Sequence, residues 1–162
     1  MKLPFYALLG CALMMSAAPA WTQGAPGVIS AEDPAGVAAA MRYAGYPAVI
    51  TTDALGDPMI ETEYAGYKGT VLFYGCDAQT HSGCDALQLS VGLDRSAPLD
   101  DAAVSGFMRK QRFASVHLDD EGDPWIQFDI VTLDGIPAPV FLKALDLYSW
   151  SLTAIADEVF SG

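Results

Sequence analysis

The sequence predicts an α+β fold in which helices pack on an antiparallel sheet of about six strands. Residues 53–60 and 119–126 are two copies of one eight-residue pattern, and each copy lies between two apolar, strand-like stretches. Residues 87–93 alternate apolar and polar side chains, which is the period of a strand with one buried face. Residues 139–160 instead repeat apolar side chains every three or four positions, which is the period of a helix. The predicted order of elements is α-β-β-β-β-α-β-β-α.

The duplicated octet is predicted to form a hairpin turn in both places. It reads Asp-Ala-Leu-Gly-Asp-Pro-Met-Ile in the first copy and Asp-Asp-Glu-Gly-Asp-Pro-Trp-Ile in the second, with five of eight positions identical. Glycine accepts positive φ, aspartate hydrogen-bonds nearby backbone amides, and proline suits the entry to an extended segment. The turn residues shared by the two copies, besides the final isoleucine, are Asp53, Gly56, Asp57 and Pro58 in the first and Asp119, Gly122, Asp123 and Pro124 in the second.

The N-terminal residues have the features of a secretory signal peptide. Lys2 precedes an apolar run that ends in Ala18-Pro19-Ala20, the small-x-small pattern of a cleavage site. We therefore expect a signal peptide over residues 1–20, a flexible segment over residues 21–32, and a single domain over residues 33–162 in the periplasm. No membrane segment is expected after cleavage. The lipobox-like stretch ending at Cys11 offers a lipid-anchored alternative, but only about eight apolar residues precede that cysteine.

The charge balance excludes nucleic acid as a partner. The formal net charge of the whole chain is −12, and without Lys2 seven basic side chains remain against 20 acidic ones. Affinity for nucleic acid depends on basic residues that displace counterions from phosphates. The simplest interpretation of the acidity is solubility.

Two cysteines, Cys76 and Cys84, remain in the mature chain and are predicted to form a disulfide. An exported protein folds in an oxidising compartment, where a cysteine pair is usually oxidised. A loop of this length gives about 2–3 kcal/mol in the chain-entropy model. A metal site that includes His81 is the alternative, but it offers three ligands where structural zinc takes four.

A short helix is predicted to open the folded domain. Residues 34–44 place Val37, Ala40, Met41 and Ala44 on one face, and Gly45 ends the run. Four strands are expected to follow, over residues 47–52, 59–64, 68–74 and 87–93.

A second helix is predicted after residues 96–100, with Val104, Phe107, Met108 and Gln111 at helical spacing. It ends in a basic run that includes Arg109 and Arg112. We interpret the run as cations at the negative end of the helix dipole, with a patch for an acidic partner as the alternative. Strands over residues 115–118 and 125–131 then form another hairpin around the second octet.

The last helix carries more apolar surface than one sheet face requires. Its main stripe consists of Phe141, Leu145, Tyr148, Leu152, Ile155 and Val159. A second apolar strip, Leu147, Trp150 and Ala154, lies beside it. The surplus indicates either a deeply seated helix or contact with another subunit.

Residues 33–160 resemble the YbjN domain family of bacterial proteins, labelled sensory transduction regulators. The residues that carry the resemblance are Tyr46-Pro47, Leu55–Pro58, Phe73–Cys76, Phe107–Phe113 and Leu118–Pro124. Members usually have Trp-Asn where this chain has Phe107-Met108. The resemblance implies a type III secretion chaperone-like fold, often paired as a homodimer, and it implies no catalytic activity.

The catalytic and metal-binding classes receive little support from the sequence. His81 and His117 are the two histidines that could act as bases, and no nucleophile elbow or phosphate-binding loop is present. Residues 119–123 are rich in carboxylates but lack the spacing of a calcium loop. We expect a non-catalytic, protein-binding or chaperone-like regulatory module without a cofactor; a calcium-binding protein and, less favoured, a hydrolase are the alternatives.

Overall fold

The structure, a computed structural model, describes residues 27–161. The predicted signal peptide, its cleavage site and the alternative anchor at Cys11 lie outside the described residues. The elements in chain order are β1 (Val28–Ile29), α1 (Pro34–Tyr43), β2 (Ala48–Thr52), β3 (Pro58–Tyr64), β4 (Tyr67–Tyr74), β5 (Ala86–Gly92), α2 (Asp101–Lys110), β6 (Ser115–Leu118), β7 (Pro124–Val131), β8 (Ile136–Pro137) and α3 (Ala138–Phe160).

Six strands form one antiparallel sheet in the order β2-β3-β4-β5-β7-β6, so the predicted α+β class is confirmed. The strand β7 pairs with both β5 and β6 and therefore lies between them. The predicted order of helices and strands is also confirmed, apart from two short strands that sequence reasoning missed.

The missed strands, β1 and β8, pair with each other outside the main sheet. Each contains two residues, which is too short to show an alternating pattern. The side chains of Ile29 and Ala31 are buried, and the amide of Ala31 donates to Oγ1 of Thr132 at 2.9 Å. The end of the segment predicted to be flexible is thus part of the folded core.

The helices cover one face of the sheet. All six side chains of the predicted α3 stripe are buried, so that prediction is confirmed. Tyr148 of this stripe packs edge-on against Tyr64 of β3, and its hydroxyl donates to the carbonyl of Ile126 in β7 at 2.9 Å. Ala44, predicted for the buried face of α1, is exposed because the helix ends one residue earlier.

The other sheet face is exposed. Strand residues alternate between the two faces, and the residues that alternate with the core positions include Glu61, Glu63, Lys68 and Trp125, all exposed. Among the helices that residues 27–161 form, none combines the length and the hydropathy that crossing a membrane requires. The helix-free face of the sheet therefore presents charged and aromatic side chains to solvent.

Candidate functional site

The two octets form the same turn, hydrogen bond for hydrogen bond. In the first, the amide of Asp53 donates to the carbonyl of Asp57 at 2.9 Å, and the amide of Gly56 donates to the carbonyl of Asp53 at 3.2 Å. Oδ1 of Asp53 accepts from the amides of Leu55 and Asp57 at 2.8 and 2.9 Å. Gly56 has a φ of 96°, in the region that favours glycine.

The second octet repeats every one of these contacts. Asp119 donates its amide to the carbonyl of Asp123 at 3.0 Å and accepts at Oδ1 from Glu121 and Asp123 at 3.0 and 2.9 Å. Gly122 has a φ of 82°. The octets join β2 to β3 and β6 to β7, as the hairpin prediction requires. The leading aspartates are thus directed toward backbone amides.

The first octet packs against the loop that the two cysteines close. The predicted Cys76–Cys84 disulfide is confirmed. Within that loop, Nδ1 of His81 lies 2.8 Å from Oδ1 of Asp57. The ring of His81 also lies close to Gly56, where a Cβ would be 3.3 Å from two ring atoms. The second aspartate of this octet therefore connects two loops.

The disulfide loop has its own internal hydrogen bonds. The Asp77 carboxylate accepts from the amides of Thr80 and Gln79 and from the Thr80 hydroxyl, which together lower the pKa of Asp77. Asp77 and Ser82 also form an antiparallel bridge across the loop. These contacts explain how a loop of polar residues presents His81 to the first octet.

The second octet instead positions an aromatic ring on the helix-free face. Trp125 follows the octet's proline and is paired with Gly92 of β5. A Cβ at Gly92 would lie 3.0 Å from the indole, so the ring occupies the space that a side chain there would need. Nε1 of Trp125 donates to Oδ2 of Asp119 at 3.0 Å. Hydrogen bonds from the amide of Asp123 and from the Trp125 indole lower the pKa of Asp119.

Trp125 borders a cleft of about 740 Å³ on this face. The lining of the cleft includes small residues of β4 and β5, among them Thr70, Ser90 and Gly92. Its lining also includes one ammonium group, that of Lys68, and five carboxylates: Glu61, Glu63, Asp94, Asp119 and Asp123. The lining is therefore strongly negative.

Sequence reasoning did not find this cleft, although it assigned Asp119 and Asp123 to a turn. The lining residues come from four strands and three connections, and their proximity depends on the order of the strands in the sheet. One local signal was available: the alternation that buries Ile126 places Trp125 on the opposite face.

The predicted interface residues lie on the helical side of the molecule. Trp150 of α3 is 58% exposed, whereas Leu147 and Ala154 are half-buried. The Ser151 hydroxyl donates to the carbonyl of Arg112 at 2.7 Å, which brings the residue after α2 next to this strip. Arg109 and Arg112 are both exposed. The structure thus brings Arg112 close to the strip.

The two histidines considered as catalytic bases contact different parts of the molecule. His81 faces Asp57, and His117 of β6 is an exposed neighbour of Trp125 across the strand pair. Both Cys76 and Cys84 are in the disulfide, so neither provides a thiolate. Within residues 27–161, no three side chains of His, Cys, Asp or Glu converge to hold a metal ion.

Two comparisons with known proteins give one match. The family model YbjN, described as "Putative bacterial sensory transduction regulator", matches residues 33–160. No curated protein matches the chain.

Proposed function

The chain belongs to the YbjN family, and we propose that it is an exported, non-catalytic module that binds another protein through the helix-free face of its sheet. The observation that carries this proposal is the cleft of about 740 Å³ on that face. Binding sites are typically concave, with a large apolar contact surface and a few fixed polar groups. The indole of Trp125, held by Asp119, supplies an aromatic contact of the kind enriched at protein interfaces, and the surrounding carboxylates make this cleft more polar than a typical small-molecule pocket.

Export is supported by two features of the chain. Residues 1–20 have the pattern of a signal peptide. The Cys76–Cys84 disulfide is typical of proteins that fold in an oxidising compartment such as the periplasm. We propose the periplasm as the location of the mature protein.

A regulatory rather than catalytic role follows the family description and the chemistry of the cleft. No histidine or cysteine is among the residues that line it. The Asp119 carboxylate accepts hydrogen bonds from two amides of its own turn and from the Trp125 indole, and the Asp123 carboxylate accepts one from the amide of Arg95. Such groups position a surface for contact.

A homodimer through α3 is a second proposal, favoured by the exposure of Trp150. A large aromatic side chain that is 58% exposed on a helix is a typical contact residue at protein interfaces. The two surfaces lie on different sides of the sheet, so each can be tested without disturbing the other.

A photo-crosslinking amino acid placed at matched positions tests which surface binds. Thr70 lies in the cleft, and Thr153 lies on α3 next to the exposed strip. In cells that export the full chain, we expect the Thr70 variant to form an adduct with another protein. An exposed position on α1, Ala35, gives the background.

The products distinguish the two surfaces by mass. An adduct of two copies from the Thr153 position would support the α3 dimer. If the Thr70 position gave no adduct above the Ala35 background while Thr153 did, the sheet-face proposal would be wrong.

A further inference from the structure

We propose that the cleft binds a short, extended stretch of a partner polypeptide that carries two Lys or Arg side chains four residues apart. This inference rests on the proposed function, because it specifies the chemistry of the partner at the same face.

The charge of the cleft selects a cationic occupant. Five carboxylates and one ammonium group line it. The two salt bridges of the described residues, His81–Asp57 and Lys110–Glu158, involve none of these five carboxylates. Asp119 and Asp123 accept hydrogen bonds from neutral amides and an indole. Lys68, the cross-strand partner of Glu63, offsets one of the five negative charges, which leaves an excess of four. Complementary charge steers association and selects among partners.

The same charge argues against other occupants of this face. A second copy of the chain also has a formal net charge of −12 and would present the same acidic cleft. Like charges brought together across an interface are unfavourable. Nucleic acids and anionic lipid surfaces are disfavoured for the same reason. A basic segment of a different protein remains the complementary partner.

The acidic groups form two clusters on opposite sides of the cleft. Glu61 and Glu63 are on β3, whereas Asp119 belongs to the turn before β7. The strands β3 and β7 are three strand spacings apart, or roughly 14 Å. The strand registers place Glu63 of β3 in the same cross-strand row as Trp125 of β7, whose indole is held by Asp119. Residues four apart in an extended chain lie on one side of it and about 13 Å apart. In a helical peptide, residues four apart are only about 6 Å apart, so their side chains would reach only one of the two acidic clusters.

Trp125 gives one end of the cleft a second means of binding a cation. The face of an indole attracts Arg and Lys, an interaction that adds to that of a nearby carboxylate. Gly92 supports the ring from below, and Asp119 fixes it through the indole nitrogen. A ring that is already ordered loses little freedom when the partner binds.

Binding of synthetic pentapeptides to the exported protein, with its disulfide intact, tests the proposal by fluorescence anisotropy. The probe is a labelled peptide with arginines at positions 1 and 5 and Gly-Ser-Gly between them. We expect the form with two citrullines, which are neutral and nearly isosteric, to bind at least about tenfold more weakly. A peptide with the two arginines adjacent should also bind several-fold more weakly.

Two charge-matched double variants locate the binding site. Glu61→Gln/Glu63→Gln removes two carboxylates from the cleft, and Asp146→Asn/Asp157→Asn removes two exposed carboxylates from α3. We expect the cleft variant to weaken binding of the arginine peptide by about tenfold and the α3 variant to weaken it by less than about twofold. Trp125→Phe should weaken binding about two- to fivefold while retaining a ring over Gly92.

Four outcomes would overturn the inference. They are equal binding of the citrulline peptide, equal effects of the two double variants, equal binding of the adjacent-arginine peptide, and equally tight displacement by spermidine, which would indicate a site for small cations. If the Thr70 position instead crosslinks a partner at a segment without Lys or Arg, this inference fails while the proposed function stands.

Discussion

The two octet turns have one local structure and two different roles. In both, a leading aspartate accepts the same two amides, and a glycine adopts positive φ. They differ in the contacts of the other side chains. Asp57 of the first octet pairs with His81 of the disulfide loop, whereas Asp119 of the second holds the Trp125 indole over the sheet. The same turn can therefore either pack against a neighbouring loop or position a side chain on an exposed sheet face.

The largest expected effect is the difference in stability loss between alanine substitutions at the two octet glycines. Gly122→Ala should lower the free energy of unfolding by about 2–4 kcal/mol, because positive φ costs about 1–2 and the new methyl group overlaps Pro98. Gly56→Ala incurs the same backbone cost, but the methyl group there contacts only the movable ring of His81. Urea denaturation of both variants measures the difference. Equal losses would contradict the packing assigned to the second turn.

Removal of the disulfide should affect the first turn and leave the second intact. The double variant Cys76→Ser/Cys84→Ser is expected to lose about 2–3 kcal/mol of stability. Amide hydrogen exchange should accelerate around His81 and Asp57 and remain unchanged around Asp119. Equal acceleration at both octets would show that the two turns are not independent.

The leading aspartates should both contribute to stability, Asp119 somewhat more because it also accepts the Trp125 indole, and only Asp119 should affect fluorescence. Asp53→Ala and Asp119→Ala each remove two amide hydrogen bonds, and each should lower Tm by about 3–5 °C. Only Asp119→Ala also frees the Trp125 indole, so only that variant should change the tryptophan emission of the folded protein. An equal emission change in Asp53→Ala would contradict the assignment of the indole.

Protonation of Asp119 at low pH should destabilise the folded protein. The pKa of Asp119 is lowered in the folded protein by the amide of Asp123 and the indole of Trp125. A carboxyl group with a lowered pKa contributes stability above its unfolded pKa of about 3.9, and this contribution is lost as the pH falls through the folded pKa. Between pH 5 and pH 2.5, the urea midpoint of the native protein should therefore fall more than that of Asp119→Asn. If the urea midpoints of the two proteins fell equally with pH, the stabilising role of the ionised Asp119 would be contradicted.

The smallest expected effect is that of the contact between His81 and Asp57. The His81 side chain is 41% exposed, and pairs this accessible are screened by solvent. A double-mutant cycle with His81→Gln and Asp57→Asn should give a coupling below about 1 kcal/mol that decreases in 0.5 M NaCl. A larger, salt-insensitive coupling would show that the first turn depends on this contact.

The fold could be predicted from the sequence because its signals are local. The alternation of residues 87–93, the stripe on α3 and the octet residues each specify one element without reference to the others. The disulfide could be predicted because Cys76 and Cys84 are the two cysteines left after the predicted signal peptide, and such a pair in an exported protein is usually oxidised. The pairing of β1 with β8 could not, since two residues show no period.

The cleft could not be predicted because it depends on the order of strands. The insertion of β7 between β5 and β6 places Trp125 beside Gly92, residues that are far apart in the chain. The same arrangement places Glu63 of β3 about 14 Å from Trp125 of β7 in one cross-strand row. The periodicity of a single strand does not indicate which strands lie next to it in the sheet.

The indole N–H resonances of Trp125 and Trp150 test the proposed binding face most directly. Trp125 lies on the sheet face and Trp150 on α3, and Trp→Phe variants assign the two signals in a proton–nitrogen correlation spectrum. When the peptide with arginines at positions 1 and 5 is added, we predict that the Trp125 signal shifts and the Trp150 signal does not. A shift of Trp150 with no change at Trp125 would contradict binding at the sheet face.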